Sequence, residues 1–203
     1  MKSSMKKYYF ATCNNNKFQE VSRIMSKLNP NITIDQLDTV FDEIQGTPEE
    51  ISIDKTKKVV KSFLFTLSKY KYSGLFTEDI SLHCGGLYGM PGPYIKEAEK
   101  NIGLLNLSNL VIGTGNTEVT ARACYTLYKI TDDPTPFKKD YNIFTISKTV
   151  SGNIVNPRGS LGFGFDKIFQ PTNYNKTFAE MSPDDKDNCS YRNIALTELN
   201  KLF

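Results

Sequence analysis

Apolar residues recur at two different periods along the chain, and the switches between them mark its elements. Tyr8 to Thr12 is a short aromatic run ending in a polar turn, CNNN, which predicts a strand. Phe18, Val21, Ile24, Met25 and Leu28 then recur at helical spacing until Asn29-Pro30 stops them. Ile32, Ile34 and Leu37 predict a second strand. Thr47-Pro48-Glu49-Glu50 reads as a helix start, with Thr47 as cap, proline at the first helical position and Glu50 closing a capping box. That helix is expected to reach Lys69, burying Ile51, Val59, Val60, Phe63 and Leu67.

The second half is less regular. Gly74 to Thr77 predicts a strand that delivers Glu78-Asp79 to its end, followed by a Gly- and Pro-rich loop, LHCGGLYGMPGPYIK. One helix is expected over Ile95 to Leu110. Two β-rich runs follow, Thr117 to Ile130 and Tyr141 to Val150, joined through DDPTPFKKD as a hairpin-type connection. Ser151-Gly152 is read as a turn into a short strand, Ile154 to Asn156. A last helix follows Ser182-Pro183, with Asp185 three residues after the cap. The mixture predicts an α/β fold around a twisted central sheet. With no internal repeat and no separating linker, 1–203 reads as a single domain.

Composition narrows the chemistry. A net charge of +3 over 203 residues is too small for a nucleic-acid footprint, though it suits a polyanionic small ligand. No apolar segment reaches membrane-spanning length, and the N-terminus has no apolar signal core. The four cysteines are widely spaced and form no CxxC pair, so the sequence predicts free thiols and a cytoplasmic location. His83 is the only histidine. This argues against Ser-His-Asp and His-based zinc chemistry, leaving carboxylates with a hard cation as the plausible hydrolytic apparatus.

Four constellations remain. Thr12, Cys13, Asn14, Asn15, Asn16 and Lys17 precede a helix, where free N–H groups and the helix dipole suit phosphate. Alone, such a turn is most simply a helix cap. Glu43 and Glu78-Asp79 are carboxylates of the kind that hold Mg²⁺ or handle a water proton, although surface acids are common. Lys55 lies one turn into the second helix. Phe163 and Phe165 flank Gly164, and in an extended segment they point the same way. That spacing alone is more often core. With Asp166, Lys186 and Arg192 it suits a flat base, and arginine, a donor only, matches a 6-oxo purine better than adenine.

The motifs TCNNNK, EIQGTPEEIS, TEDISL, GLYGMPGPYIK, SGNIVNPRG, GFGFD, KTFAEM and Ser190-Tyr191-Arg192 occur in an order that resembles the inosine triphosphate pyrophosphatase family over nearly the whole chain. The resemblance implies an elongated mixed sheet flanked by helices, in two lobes with a central active-site cleft. It implies hydrolysis of ITP, dITP and XTP to monophosphate and pyrophosphate with Mg²⁺ or Mn²⁺, by a homodimer; the small net charge and the absence of a membrane-length segment argue against a nucleic-acid or membrane partner. It makes Thr12 to Lys17 and Lys55 phosphate-binding, Glu43 and Asp79 metal ligands, and Asp79 the proton acceptor. Phe163, Gly164, Phe165, Asp166, Lys186, Tyr191 and Arg192 become base-binding. Three positions depart from the family pattern: Tyr191 stands where histidine is usual, Ile80 replaces a hydroxyl residue beside the phosphates, and Cys13 replaces a smaller residue. These departures leave two alternatives open: a nucleotide-binding sensor with weak catalysis, and a pyrophosphatase of broader base preference.

Overall fold

A computed structural model describes residues 5–130 and 142–203. Among them are seven strands: β1 (Lys6–Ala11), β2 (Ile32–Leu37), β3 (Gly74–Cys84), β4 (Pro91–Gly92), β5 (Glu118–Lys129), β6 (Ile143–Ile154) and β7 (Phe169–Pro171). Six helices accompany them: α1 (Asn15–Leu28), α2 (Pro48–Lys69), α3 (Ile95–Ile102), α4 (Leu104–Gly113), α5 (Pro183–Cys189) and α6 (Tyr191–Asn200). The strands form one mixed sheet, ordered β2-β1-β3-β5-β6-β7 with β4 on β3. β1 runs parallel to β2 and β3, whereas the β3–β4 and β6–β7 pairs are antiparallel. The expected α/β class, a central mixed sheet with flanking helices, is the observed one.

The described residues fall into two compact units, one within Met1–Asp79, Cys124–Ser147 and Ala195–Phe203, the other within Ile80–Ala123 and Lys148–Ile194. The core of the first includes Tyr8, Phe10, Val21, Ile24, Val59, Leu67, Leu75 and Phe76. The predicted capping box starts α2, with Thr47 and Glu50 exchanging bonds as expected. A buried hydroxyl network seats that helix on the sheet: Ser52 Oγ donates to Thr126 Oγ1 at 2.8 Å, and the Thr56 and Thr77 hydroxyls meet at 2.7 Å. Gly74 makes close strand pairing possible, because a Cβ there would lie 2.1 Å from the Tyr128 carbonyl oxygen. Gly74→Ala is therefore expected to destabilise the protein by about 3 kcal/mol, read as a lower urea midpoint.

The second unit is built on Leu82, Cys84, Leu107, Val111, Val119, Ala121 and an aromatic group around Phe169 and Phe178. Several sequence expectations are corrected. β3 does not stop at Thr77 but continues to Cys84, so Glu78 and Asp79 lie mid-strand. Nearly every residue of β3 is buried, which removes the polar boundary that a sequence reading looks for. The expected helix Ile95 to Leu110 is two helices, broken at Gly103, whose φ of +80° suits glycine. No turn forms at Ser151-Gly152; β6 runs through to Ile154, and a Cβ at Gly152 would meet the Gln170 carbonyl of β7 at 2.4 Å. The final helix is two, α5 and α6, parted at Ser190. The DDPTPFKKD connection lies outside the described residues.

Candidate active site

In the first unit, the turn between β1 and α1 is organised by its own polar groups. Asn14 caps α1 by accepting from the Lys17 N–H at 3.1 Å, and Thr12 Oγ1 accepts from the Asn14 N–H at 3.1 Å. Gln36 of β2 braces the turn, donating to the Thr12 carbonyl and to Asn15 Oδ1. Cys13, Asn14, Asn15 and Asn16 stay exposed, at the end of a helix whose N–H groups favour anions.

Lys17 does not extend into solvent. Its ammonium pairs with Glu78 Oε2 at 3.2 Å, and the hydroxyl of buried Tyr125 donates to Glu78 Oε1. Both oxygens of Glu78 are thus engaged, which makes it a counter-ion that fixes Lys17. Sequence reasoning missed Tyr125, because a tyrosine in an apolar strand carries no sign of what its hydroxyl meets.

Asp79 is the unusual group. It is 5% exposed, and its Oδ2 is buried without a hydrogen-bond partner. Lys55 Nζ stands 3.7 Å from Oδ1 and pairs with Glu43 Oε1 at 2.6 Å. Lys58 donates to the Asp42 carbonyl at 2.6 Å and so ties the Glu43 loop to α2. Burial pushes the Asp79 carboxyl up to about 6, and the positive charges of Lys55 and Lys17 only partly oppose that rise. Such a carboxylate is poised to exchange a proton near neutrality. No three His, Cys, Asp or Glu side chains among the described residues form a metal cage. Mg²⁺, however, takes only one or two carboxylates when substrate oxygens complete its shell. The orphaned Oδ2 and the nearby Glu43 are donors of the right kind.

In the second unit, Asp166 and Lys186 form a buried ion pair at 2.7 Å, and Asp166 also accepts from the Phe163 N–H at 2.9 Å. Lys186 and Arg192 stand 5.2 and 5.4 Å from the Phe163 ring centre. Phe163 and Phe165 do not share an extended segment, contrary to the sequence reading. Residues Gly164–Lys167 form a 3₁₀ turn, with Gly164 at φ +58° and Asp166 bonding back to Phe163. Phe165 consequently turns into the core beside Phe169 and Tyr191, and Phe163 remains half-buried under the two cations. Tyr191 is itself a core ring, packed on Phe165 and Phe178. Ile80 is buried as well.

The family model of the Ham1 family matches residues 8–202. The chain is 34% identical over 199 residues to the inosine triphosphate pyrophosphatase of Batrachochytrium dendrobatidis, covering 98% of this chain and 95% of that one. It is 31% identical over 198 residues to the dITP/XTP pyrophosphatase of Ignicoccus hospitalis, covering 97% and 96%. Among solved structures, a HAM1 protein from Coxiella burnetii superposes with a TM-score of 0.76 at 21% identity, covering 98% of both chains. The Ham1 protein of Staphylococcus aureus gives a TM-score of 0.72 at 23% identity, covering 96% of this chain and 97% of that one.

Proposed function

This chain belongs to the Ham1 family, and from that membership we propose that it hydrolyses deaminated purine nucleoside triphosphates to the monophosphate and pyrophosphate. The observation that carries the reading is Asp79: a buried carboxylate with one unpartnered oxygen, flanked by two lysines. The relatives' names supply the substrates, inosine triphosphate, dITP and XTP.

Lys55, Lys17 and the N–H groups at the start of α1 neutralise the triphosphate. Glu43 and Asp79 would hold Mg²⁺ (or Mn²⁺), which would supply positive charge to the phosphate oxygens and to the leaving pyrophosphate. Water attacks the α-phosphorus, and the α–β bridging P–O bond breaks. Asp79 takes the proton that the water loses. Glu78, itself held by the Tyr125 hydroxyl, positions Lys17. The base lies against Phe163, with Lys186 and Arg192 offering donors to a 6-oxo group that adenine lacks.

The test is a panel of ITP, dITP, XTP, GTP and ATP with Mg²⁺, following pyrophosphate and monophosphate together. ITP is expected to exceed ATP in kcat/KM by about 100-fold or more, and a chelator to abolish turnover. Equal values across the panel, or release of single phosphates, would overturn the reading. The same membership leads us to expect a cytoplasmic homodimer. Sedimentation of the purified chain tests the dimer.

A further inference from the structure

A second acid, which no family motif singles out, stands beside Gly164, the residue that follows Phe163. Glu99 lies on α3, half-buried, with Oε2 so placed that a Cβ on Gly164 would lie 3.8 Å from it. Burial and the negative charge of Asp166 push its carboxyl up. Asp166 is occupied by Lys186 and the Phe163 N–H. No donor or cation among the described residues meets the Glu99 carboxylate. The segment that presents Phe163 is thus edged by an uncompensated negative charge.

We infer that Glu99 is a specificity-determining residue that makes this chain favour ITP over XTP. The inference rests on the base lying against Phe163, as proposed above. Hypoxanthine is neutral at physiological pH. Xanthine, with its extra 2-oxo group, gives up a ring N–H proton close to neutrality and is largely anionic there. A half-buried carboxylate without a counter-ion repels the anion and leaves the neutral base untouched. No particular orientation of the base is required, because charge acts over several ångströms at the reduced dielectric of a partly buried site. A selectivity of about tenfold is the size expected from one such charge. Lys186 and Arg192 do not cancel the effect. They attract the 6-oxo oxygen of both bases, whereas Glu99 senses the difference between them.

The experiment compares kcat/KM for XTP and ITP at pH 7.5 in wild type, Glu99→Gln, Glu99→Asp and Glu99→Leu. Glu97→Gln, an exposed change on the same helix, is the control. The wild type is expected to favour ITP. Glu99→Gln and Glu99→Leu should each raise the XTP/ITP ratio about tenfold, Glu99→Asp should hold it near the wild-type value, and Glu97→Gln should leave it there. An unchanged ratio in both neutral variants overturns the inference, as does a wild type that prefers XTP. Failure of the broader reading looks different: the wild type would then release pyrophosphate from neither nucleotide.

Discussion

Asp79→Asn is expected to cut turnover of ITP by about 1,000-fold or more while making the metal-free protein more stable at pH 7. The two effects share one cause. Asp79 is buried, its Oδ2 has no hydrogen-bond partner, and its carboxyl is raised from an ordinary 3.8 to about 6. Below about pH 4 the group is protonated in both the folded and the unfolded chain, so it costs nothing. Between pH 4 and 6 the unfolded chain ionises while the folded one still holds its proton, and stability falls as pH rises. Above 6 the full cost is present, on the order of 3 kcal/mol for a shift of this size. Asparagine abolishes the ionisation and with it the cost. Urea unfolding in chelator should therefore show a gain over wild type that is larger at pH 7 than at pH 4. An equal difference at both pH values would mean that Asp79 is not held in an unfavourable charged state. A gain of stability on loss of activity is the expected signature of a functional rather than a structural acid.

Lys186→Met is expected to act in the opposite sense, destabilising the fold by about 3–5 kcal/mol. Lys186 and Asp166 are 5% and 2% exposed, so removing the lysine leaves a carboxylate buried without its ion-pair partner. The double variant Lys186→Met, Asp166→Asn removes that stranded charge and keeps an oxygen for the Phe163 N–H. It should recover most of the lost stability, measured as the coupling between the two changes in urea unfolding. It should not recover base recognition, because the donor beside Phe163 is gone; the KM for ITP should stay raised. A double variant as unstable as the single one would show that charge stranding is not the cause.

The parts of the molecule legible in the sequence are those whose signals are local. The start of α2 was readable because Thr47, Pro48 and Glu50 act on backbone groups within three residues of one another. Asn14 capped α1 as its position before an amphipathic run implied. The sequence signal for β3 ends short of its true end because its burial, from Gly74 to Cys84, comes from neighbouring strands and helices. β7 went unseen, since three residues carry no period and gain strand character only by pairing with β6.

Taken by itself, the sequence determined the fold class, the family and the residue types of the chemistry, because motif order and capping patterns depend on neighbours along the chain. The tertiary structure decided what each side chain does. It set Asp79 mid-strand with an orphaned oxygen, engaged both oxygens of Glu78 through Lys17 and Tyr125, and sent Phe165 to the core while leaving Phe163 under two cations. It also brought Glu99 to Gly164 from 65 residues away in sequence. Burial and charge pairing are sums over groups that meet only in space, so no local pattern encodes them.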